Sequence, residues 1–466
     1  MAGSAVRNVW GMVREALGGE DRDYTSMGVR RAIVLLSIPM VLEMGMEALF
    51  AIVDAFFVAK LGTGATATVG LTESLLVTIY SVAWGLGVGC TAVVARRTGE
   101  KDVDGARRAA GQSVSIAVAC GVVLGLPGLL FAPQLLGLMG ATPSTVAEGG
   151  LYARIMFASN VVIMLLFTIN AVFRGKGLAG LALWTLIIAN AINIVLDPLL
   201  VFGLGPFPAL GVTGAAVATT TGRTVGVLFQ LYFLFRPGGM LAVRLPDLRP
   251  AWDVAVSIVK VSLGSILQFL IASASWTFLV KLVSDAGTDA QAGYTVAVRI
   301  MLFSLLPAWG MANAATTLVG QNLGAGHPDR AARSAWLCGH YNMVFMITVA
   351  VIFWLFAPAL VSFFAQNPVA DAFAVHALRI ICLGYFFYGY GMVLAQAFNG
   401  AGDAFTPTWM NVLCFWLLEI PLAYLLARTL EWGPTGVFAS VAISESALAI
   451  LSAVLFQRGK WKVAKV

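Results

Sequence analysis

Twelve long apolar runs, separated by short polar or glycine-rich stretches, succeed one another along the chain. They predict helices at 32–59, 71–95, 113–137, 150–173, 179–203, 211–235, 254–283, 291–320, 335–365, 371–396, 405–428 and 433–457. Each run is about 20 residues or more, the length a helix needs to cross the hydrocarbon of a bilayer. Strands of a membrane barrel would alternate polar and apolar positions over about ten residues, and no such alternation occurs. The first 25 residues are polar and lack an apolar centre, so no signal peptide is expected there. Arg7, Arg14 and Arg22 among Val6, Val9, Trp10, Met12, Val13 and Leu17 fit a short amphipathic helix on the cytoplasmic face or a disordered segment.

Composition agrees with the pattern. The 466 residues are 59% hydrophobic and 11% charged, against about 25% charged in soluble domains. The expected protein is an all-α integral membrane protein lying in the lipid bilayer of the plasma (inner) membrane. The net charge of +6 is topology information. Arginines and lysines gather at 7–31, 96–108, 174–176, 236–249, 330–333 and 458–465, whereas only Lys60, Lys281 and Arg428 lie at the opposite ends of runs. Basic loops stay in the cytoplasm, so both termini are expected there, and the charge says nothing of nucleic acid. Cys90, Cys120, Cys338, Cys382 and Cys414 all fall inside runs with no CxxC spacing, and His327, His340 and His376 are scattered. Neither set makes a metal or disulfide framework.

The chain repeats itself. Gly99-Glu100-Lys101-Asp102 after run two matches Gly324-Ala325-Gly326-His327 after run eight, an offset of 225 (324 − 99). Arg174-Gly175-Lys176-Gly177 matches Asn399-Gly400-Ala401-Gly402 at the same offset, and Gly211 to Ala215 matches Gly433 to Val437 at 222 (433 − 211). Six spans per repeat is an even number, so both halves enter the membrane the same way round. The expected architecture is twelve transmembrane helices in two pseudo-symmetric six-helix lobes around a central cleft. Residues 1–236 make the N-lobe, 237–253 a cytoplasmic linker and 254–466 the C-lobe. Rocking of such lobes gives alternating access.

Acids at membrane depth point to function, because placing a carboxylate there costs roughly 2.5 kcal/mol or more. Asp54 lies in span one and Asp197 in span five. Counted at about 1.5 Å per residue, both share a level with Thr219 of span six and with Asn193, one turn below Asp197. Asn160 of span four can join them. Pro198 lacks an N–H and frees the carbonyl of Ile194 beside this group. Burial and a neighbouring carboxylate both favour a bound proton, so the pair can load a proton and release it to water. Sodium needs about five or six oxygens, and Asp54, Asp197 and Asn193 can supply several. Asp54 and Asp197 map onto Leu279 and Leu422 in the second repeat, so the ionisable site is expected in the N-lobe alone.

Glu43 and Glu47 share a helix face with Asp54 and are candidates for contact with a cationic substrate. Glu419 is an isolated acid of span eleven, and Gln268, Trp276 and Tyr294 are candidate chamber walls. Packing is the competing role for each. No phosphate-binding GxxxxGK[ST] motif occurs, so ATP hydrolysis is not expected, nor any other enzyme activity. No cofactor is expected beyond the coupling proton or sodium ion.

These residues resemble the multidrug and toxic compound extrusion transporters. The resemblance rests on Ile38-Pro39, Val53-Asp54, Val58 and Leu61-Gly62 in span one, and on Asn193-x-x-x-Asp197-Pro198 in span five. Val319-Gly320-Gln321-Asn322-Leu323-Gly324-Ala325-Gly326 and Ile420-Pro421-Leu422-Ala423-Tyr424 carry it in the second half. It implies export of small amphipathic cations against an inward flow of protons or sodium, with Asp54, Asn193, Asp197 and Thr219 matching the N-lobe cation site. One branch of that family carries sodium coupling on acids of spans seven and ten. Here 263–283 and 372–396 hold no acid, which favours coupling through the N-lobe and, of the two ions, the proton. The chain is taken as a monomer. A flippase of lipid-linked precursors is the alternative in the same superfamily, though its pyrophosphate substrates would want more basic residues than Arg154, Arg223, Lys260, Arg299 and Arg379.

Overall fold

The computed structural model describes residues 11–18, 22–364 and 367–464. Among these there is no strand. Span one is Val29–Ala59, two Thr63–Gly99, three Val103–Leu138, five Ala179–Phe202 and six Val212–Phe235. Seven is Trp252–Ser284, eight Thr288–Gly324, nine Pro328–Ser362, eleven Phe405–Thr429 and twelve Pro434–Gln457. Spans four and ten are broken. Pro143–Ala158 meets Asn160–Lys176 at 41°, and Pro368–Cys382 meets Tyr385–Ala401 at 60°. With each bent pair taken as one span, up to eleven are apolar enough to cross a membrane. Val212–Phe235 completes the twelve, its hydropathy lowered by Thr219, Thr220, Thr221 and Arg223. Residues 11–17 are helical, the first of the two readings for that segment. Val6, Arg7, Val9, Trp10 and Lys465 lie outside the described residues.

The repeat is written in backbone geometry. Gly62 and Gly287 cap spans two and eight at φ 100° and 111°. Gly177 and Gly402 end spans four and ten at φ 94° and 91°, and Gly211 and Gly433 start six and twelve at φ 56°. L side chains rarely adopt these angles, so the matching glycines are where the chain must turn the same way twice. The breaks coincide too, at Ser159 in one half and Gly384 in the other. Span eleven departs from the symmetry. It widens to π-helix over Val412–Glu419 and again over Leu425–Thr429.

Each lobe has its own core. In the first, Leu76, Leu86, Phe157, Met164 and Phe173 pack together; in the second, Tyr294, Met301, Met346, Tyr385 and Phe438 do. The segment between the lobes is strapped to span three, where Arg107 holds the Asp247 carboxylate at 2.9 Å and Gln112 donates to the carbonyls of Asp247 and Arg249.

The lobes meet along the half of the molecule that carries both termini. Ala32, Ile33, Leu36 and Met40 of span one pack with Ala312, Ala315 and Leu318 of span eight. Glycines let the backbones touch: a Cβ on Gly85 would stand 2.5 Å from the Ile266 amide, and one on Gly310 2.5 Å from the Met40 carbonyl. Polar ties follow. Thr317 donates to the Arg174 carbonyl at 3.1 Å and Gln321 to the Gly175 carbonyl at 2.9 Å. Tyr24 donates to the Gly177 carbonyl, and Arg330 to the Tyr24 and Met27 carbonyls. Among the described residues, hydrogen bonds between the lobes lie in this half, so the cleft is sealed at the terminal end.

Candidate functional site

Spans five and six pack closely enough to bring their polar faces together. A Cβ on Gly222 would lie 2.6 Å from the Ala189 carbonyl, so glycine is needed for this approach. One turn from Ala189, Asn193 donates through Nδ2 to the Thr219 hydroxyl at 3.3 Å, and Thr219 donates to Asp54 Oδ1 at 3.3 Å. Spans five, six and one are thus joined by one chain of donors ending on a carboxylate. Asp197 is fully buried on the same helix as Asn193, and Asp54 and Asn193 are its electrostatic neighbours.

Several polar atoms here have no hydrogen bond: both Asp197 oxygens, Asn193 Oδ1 and both amide atoms of Asn160. Each such atom costs about 1–3 kcal/mol. A cluster of buried acceptors gains when a proton or a cation supplies the missing donor or charge. Asn160 sits at the break of span four against Gly125 of span three. It carries the same unsatisfied chemistry, and among the described residues no hydrogen bond joins it to Asp54.

Four further residues complete the N-lobe site. Arg223, one turn beyond Thr219, is 7% exposed. Its Nη1 donates to the Tyr80 hydroxyl at 3.0 Å, and its guanidinium lies 4.8 Å from the Phe50 ring centre. Asp54, Glu47 and Tyr80 are within its electrostatic reach. Tyr152 and Glu73 belong to the same neighbourhood, and Glu73 also senses Arg299 from the C-lobe. The Thr219-to-Arg223 spacing, four residues on one helix face, is the signal that sequence reading could have used.

The candidate substrate residues divide. Glu47 lines a cavity between the lobes with Met44, Trp84, Phe269, Trp309 and Asn313. Trp84 of the N-lobe packs at 5.8 Å from both Phe269 and Trp309 of the C-lobe, edge to face with Trp309, and these rings form the floor of the cleft. Glu43, on the same helix face, is instead held inside the N-lobe. Arg174 Nη1 reaches its Oε1 at 2.5 Å and Asn170 donates at 3.1 Å, leaving the residue 1% exposed. Gln268 is knotted to Asn399 and to the Ala404 carbonyl, both at 3.0 Å. Tyr294 is wholly buried between Trp276 and Phe438, stacked at 6.4 and 5.7 Å. Glu419 accepts from Ser275 at 2.8 Å. Buried acids occur in both lobes, as the isolated Glu419 of span eleven already indicated in the sequence. The C-lobe buries Glu419 and Glu445, supplied by spans eleven and twelve. Among the described residues no three of His, Cys, Asp and Glu cluster as metal ligands.

Comparison with known proteins places this geometry in context. The family profile described as MatE matches residues 39–199 and 264–425. A probable multidrug resistance protein NorM of Thermotoga maritima is 25% identical over 93% of each chain. A FAD transporter of Shewanella oneidensis is 25% identical over 86% of this chain and 88% of its own. A solved MOP superfamily transporter from Pyrococcus furiosus, described as having a binding pocket of reverse polarity, superposes with a TM-score of 0.89 at 28% identity. That match spans 95% of this chain and 98% of the other.

Proposed function

The chain belongs to the multidrug and toxic compound extrusion family of multi-pass membrane transporters, and on that premise we propose that it is a secondary active efflux transporter. It exports small amphipathic organic cations by alternating access, coupled to inward cation flow through the N-lobe carboxylates. The observation that carries this reading is the donor chain from Asn193 through Thr219 to Asp54, set beside the unsatisfied oxygens of Asp197. A proton arriving there supplies the missing donor. Glu47 beside Trp84, Phe269 and Trp309 offers an organic cation a negative charge and ring faces. With both termini in the cytoplasm, as the basic loops imply, the seal at the terminal end makes this conformation outward-facing. The transporter works as a monomer.

A second reading draws on Arg174, which lines the same cavity as Glu47, and on Arg223, which lies within electrostatic reach of Glu47. They favour an anionic amphiphile, or a flipped lipid-linked precursor, over a cation.

Ethidium transport in proteoliposomes, under an imposed pH or sodium gradient, tests the proposal in wild type and Asp54→Asn. Transport driven by the pH gradient and lost in the variant is expected. A requirement for sodium would turn the same oxygens into a sodium site. Failure under both gradients, in folded protein, would favour the anionic reading.

A further inference from the structure

Two carboxyls are sealed inside the C-lobe, and among the described residues no cation balances them. Glu419 is 1% exposed and Glu445 6%. The groups that act on Glu419 are the Ser275 hydroxyl, which donates to Oε2 at 2.8 Å, and Glu445 itself. On Glu445 it is the Tyr388 hydroxyl of span ten. Tyr385 and Cys414 also sense Glu445 from spans ten and eleven. No lysine, arginine or histidine is among the groups acting on either acid. The contrast with the N-lobe is direct, since Asp54 has Arg223 and Glu43 has Arg174.

Two independent features mark the place as more than a packing contact. The Tyr294 hydroxyl of span eight is buried without a hydrogen-bond partner, and it lies close enough to Glu419 to feel its charge. Span eleven is π-helical over the eight residues that end at Glu419. Such turns are rare and frequent at functional sites. A helix widened at this point changes the facing of Glu419 relative to the regular helix on either side, and Tyr294 offers a donor not already committed.

We propose that Glu419 and Glu445 form a second proton-exchange site, in the C-lobe, that gives up and regains one proton in each transport cycle. One carboxylic O–H bond breaks and the proton passes to water. The carboxylate left behind is met by the O–H donors of Ser275, Tyr388 and Tyr294, and uptake reverses the step. Two acids sharing this task have one charge to stabilise at a time, which hydroxyls alone can do where two bare charges would need a cation. The inference rests on the transporter reading above and adds a second ionisable station to it.

Infrared titration of the purified protein in lipid, without substrate, isolates the pair. Glu419→Gln and Glu445→Gln keep the shape of a protonated glutamate, and Ser275→Ala removes a donor while leaving both acids. The wild-type spectrum is expected to hold a protonated-carboxyl band that titrates with pH, that Asp54→Asn leaves in place, that each glutamine variant weakens and that the double variant removes. Transport driven by a pH gradient in proteoliposomes should fall about tenfold in each glutamine variant and no further in the double variant. It should fall about threefold in Ser275→Ala. Absence of a titrating band assignable to these residues overturns the site whatever the transport. Wild-type rates in both glutamine variants, where Asp54→Asn is inactive, also overturn it and leave the N-lobe coupling standing.

Discussion

Thr219 gives its hydroxyl hydrogen to Asp54 and takes one from Asn193, so a carboxylate on span one is held by a relay on spans five and six. A neutral hydroxyl is the right group for this position, because it can serve the acid in both charge states by rotating. Replacement by Ala breaks the relay at both ends. The loss of one hydrogen bond is worth about 1 kcal/mol, or roughly fivefold. Thr219→Ala should lower gradient-driven transport by about that factor, and Thr219→Ser should restore it. Initial rates in proteoliposomes decide, and a wild-type rate for Thr219→Ala would remove the relay from the mechanism.

The Arg174–Glu43 pair makes a different prediction, because it concerns stability. Glu43 is 1% exposed and the ion pair is its principal compensation. Removing one partner of a buried pair strands the other charge at a cost of about 3–5 kcal/mol. Glu43→Gln and Arg174→Met should each destabilise the protein strongly, and the double variant less than their sum. Thermal unfolding in detergent measures this. Equal stability of wild type and Glu43→Gln would mean that the acid is free to face substrate after all.

Much of this was readable in the chain, and what was not has identifiable physical causes. The spans were legible because an apolar run of bilayer length has few other uses, and the repeat because glycines at fixed offset mark turns that other residues resist. Asp54, Asn193 and Asp197 were legible because a polar group in hydrocarbon needs a reason. The Glu43–Arg174 pair was not, since its partners are 131 residues apart and only packing joins them. Arg223 read as an isolated base because nothing local announces Tyr80 and Phe50, which reach it from spans two and one of the same lobe. The breaks at Ser159 and Gly384 carry no proline. Glu445 lies midway along the last span between Ser444 and Ser446, where it carries the same signal of an acid at membrane depth and was passed over in the sequence reading.

The seal at the terminal end depends on small residues. Gly85 faces the backbone of Ile266 with no room for a side chain. Gly85→Val would force spans two and seven apart, at an overpacking cost of about 1–3 kcal/mol. The expected result is a shift of population towards the state open at this end. A single cysteine at Thr317, whose hydroxyl now meets the Arg174 carbonyl, should then react faster with a water-soluble maleimide added from the terminal side. The background for this assay lacks the five native cysteines. An unchanged labelling rate would show that the seal survives without the close approach at Gly85.

Glu47 and Arg223 together separate the two substrate readings. Glu47 lines the cleft, and Arg223, of opposite charge, lies within its electrostatic reach inside the N-lobe. A cationic substrate is attracted by Glu47 and repelled by Arg223, and an anionic one the reverse. A charge contact in a partly desolvated site is worth about 1.4 kcal/mol or more, a tenfold change in affinity. For an organic cation, Glu47→Gln should raise Kd about tenfold, whereas Arg223→Gln should leave it unchanged or tighten it. For an organic anion of similar size the two variants should exchange effects. Fluorescence binding with a matched pair of dyes in detergent reads both at once, without any ion gradient, so the outcome is independent of the coupling ion. Tightening of the cation by Glu47→Gln would place the substrate's charge away from span one and favour the anionic reading.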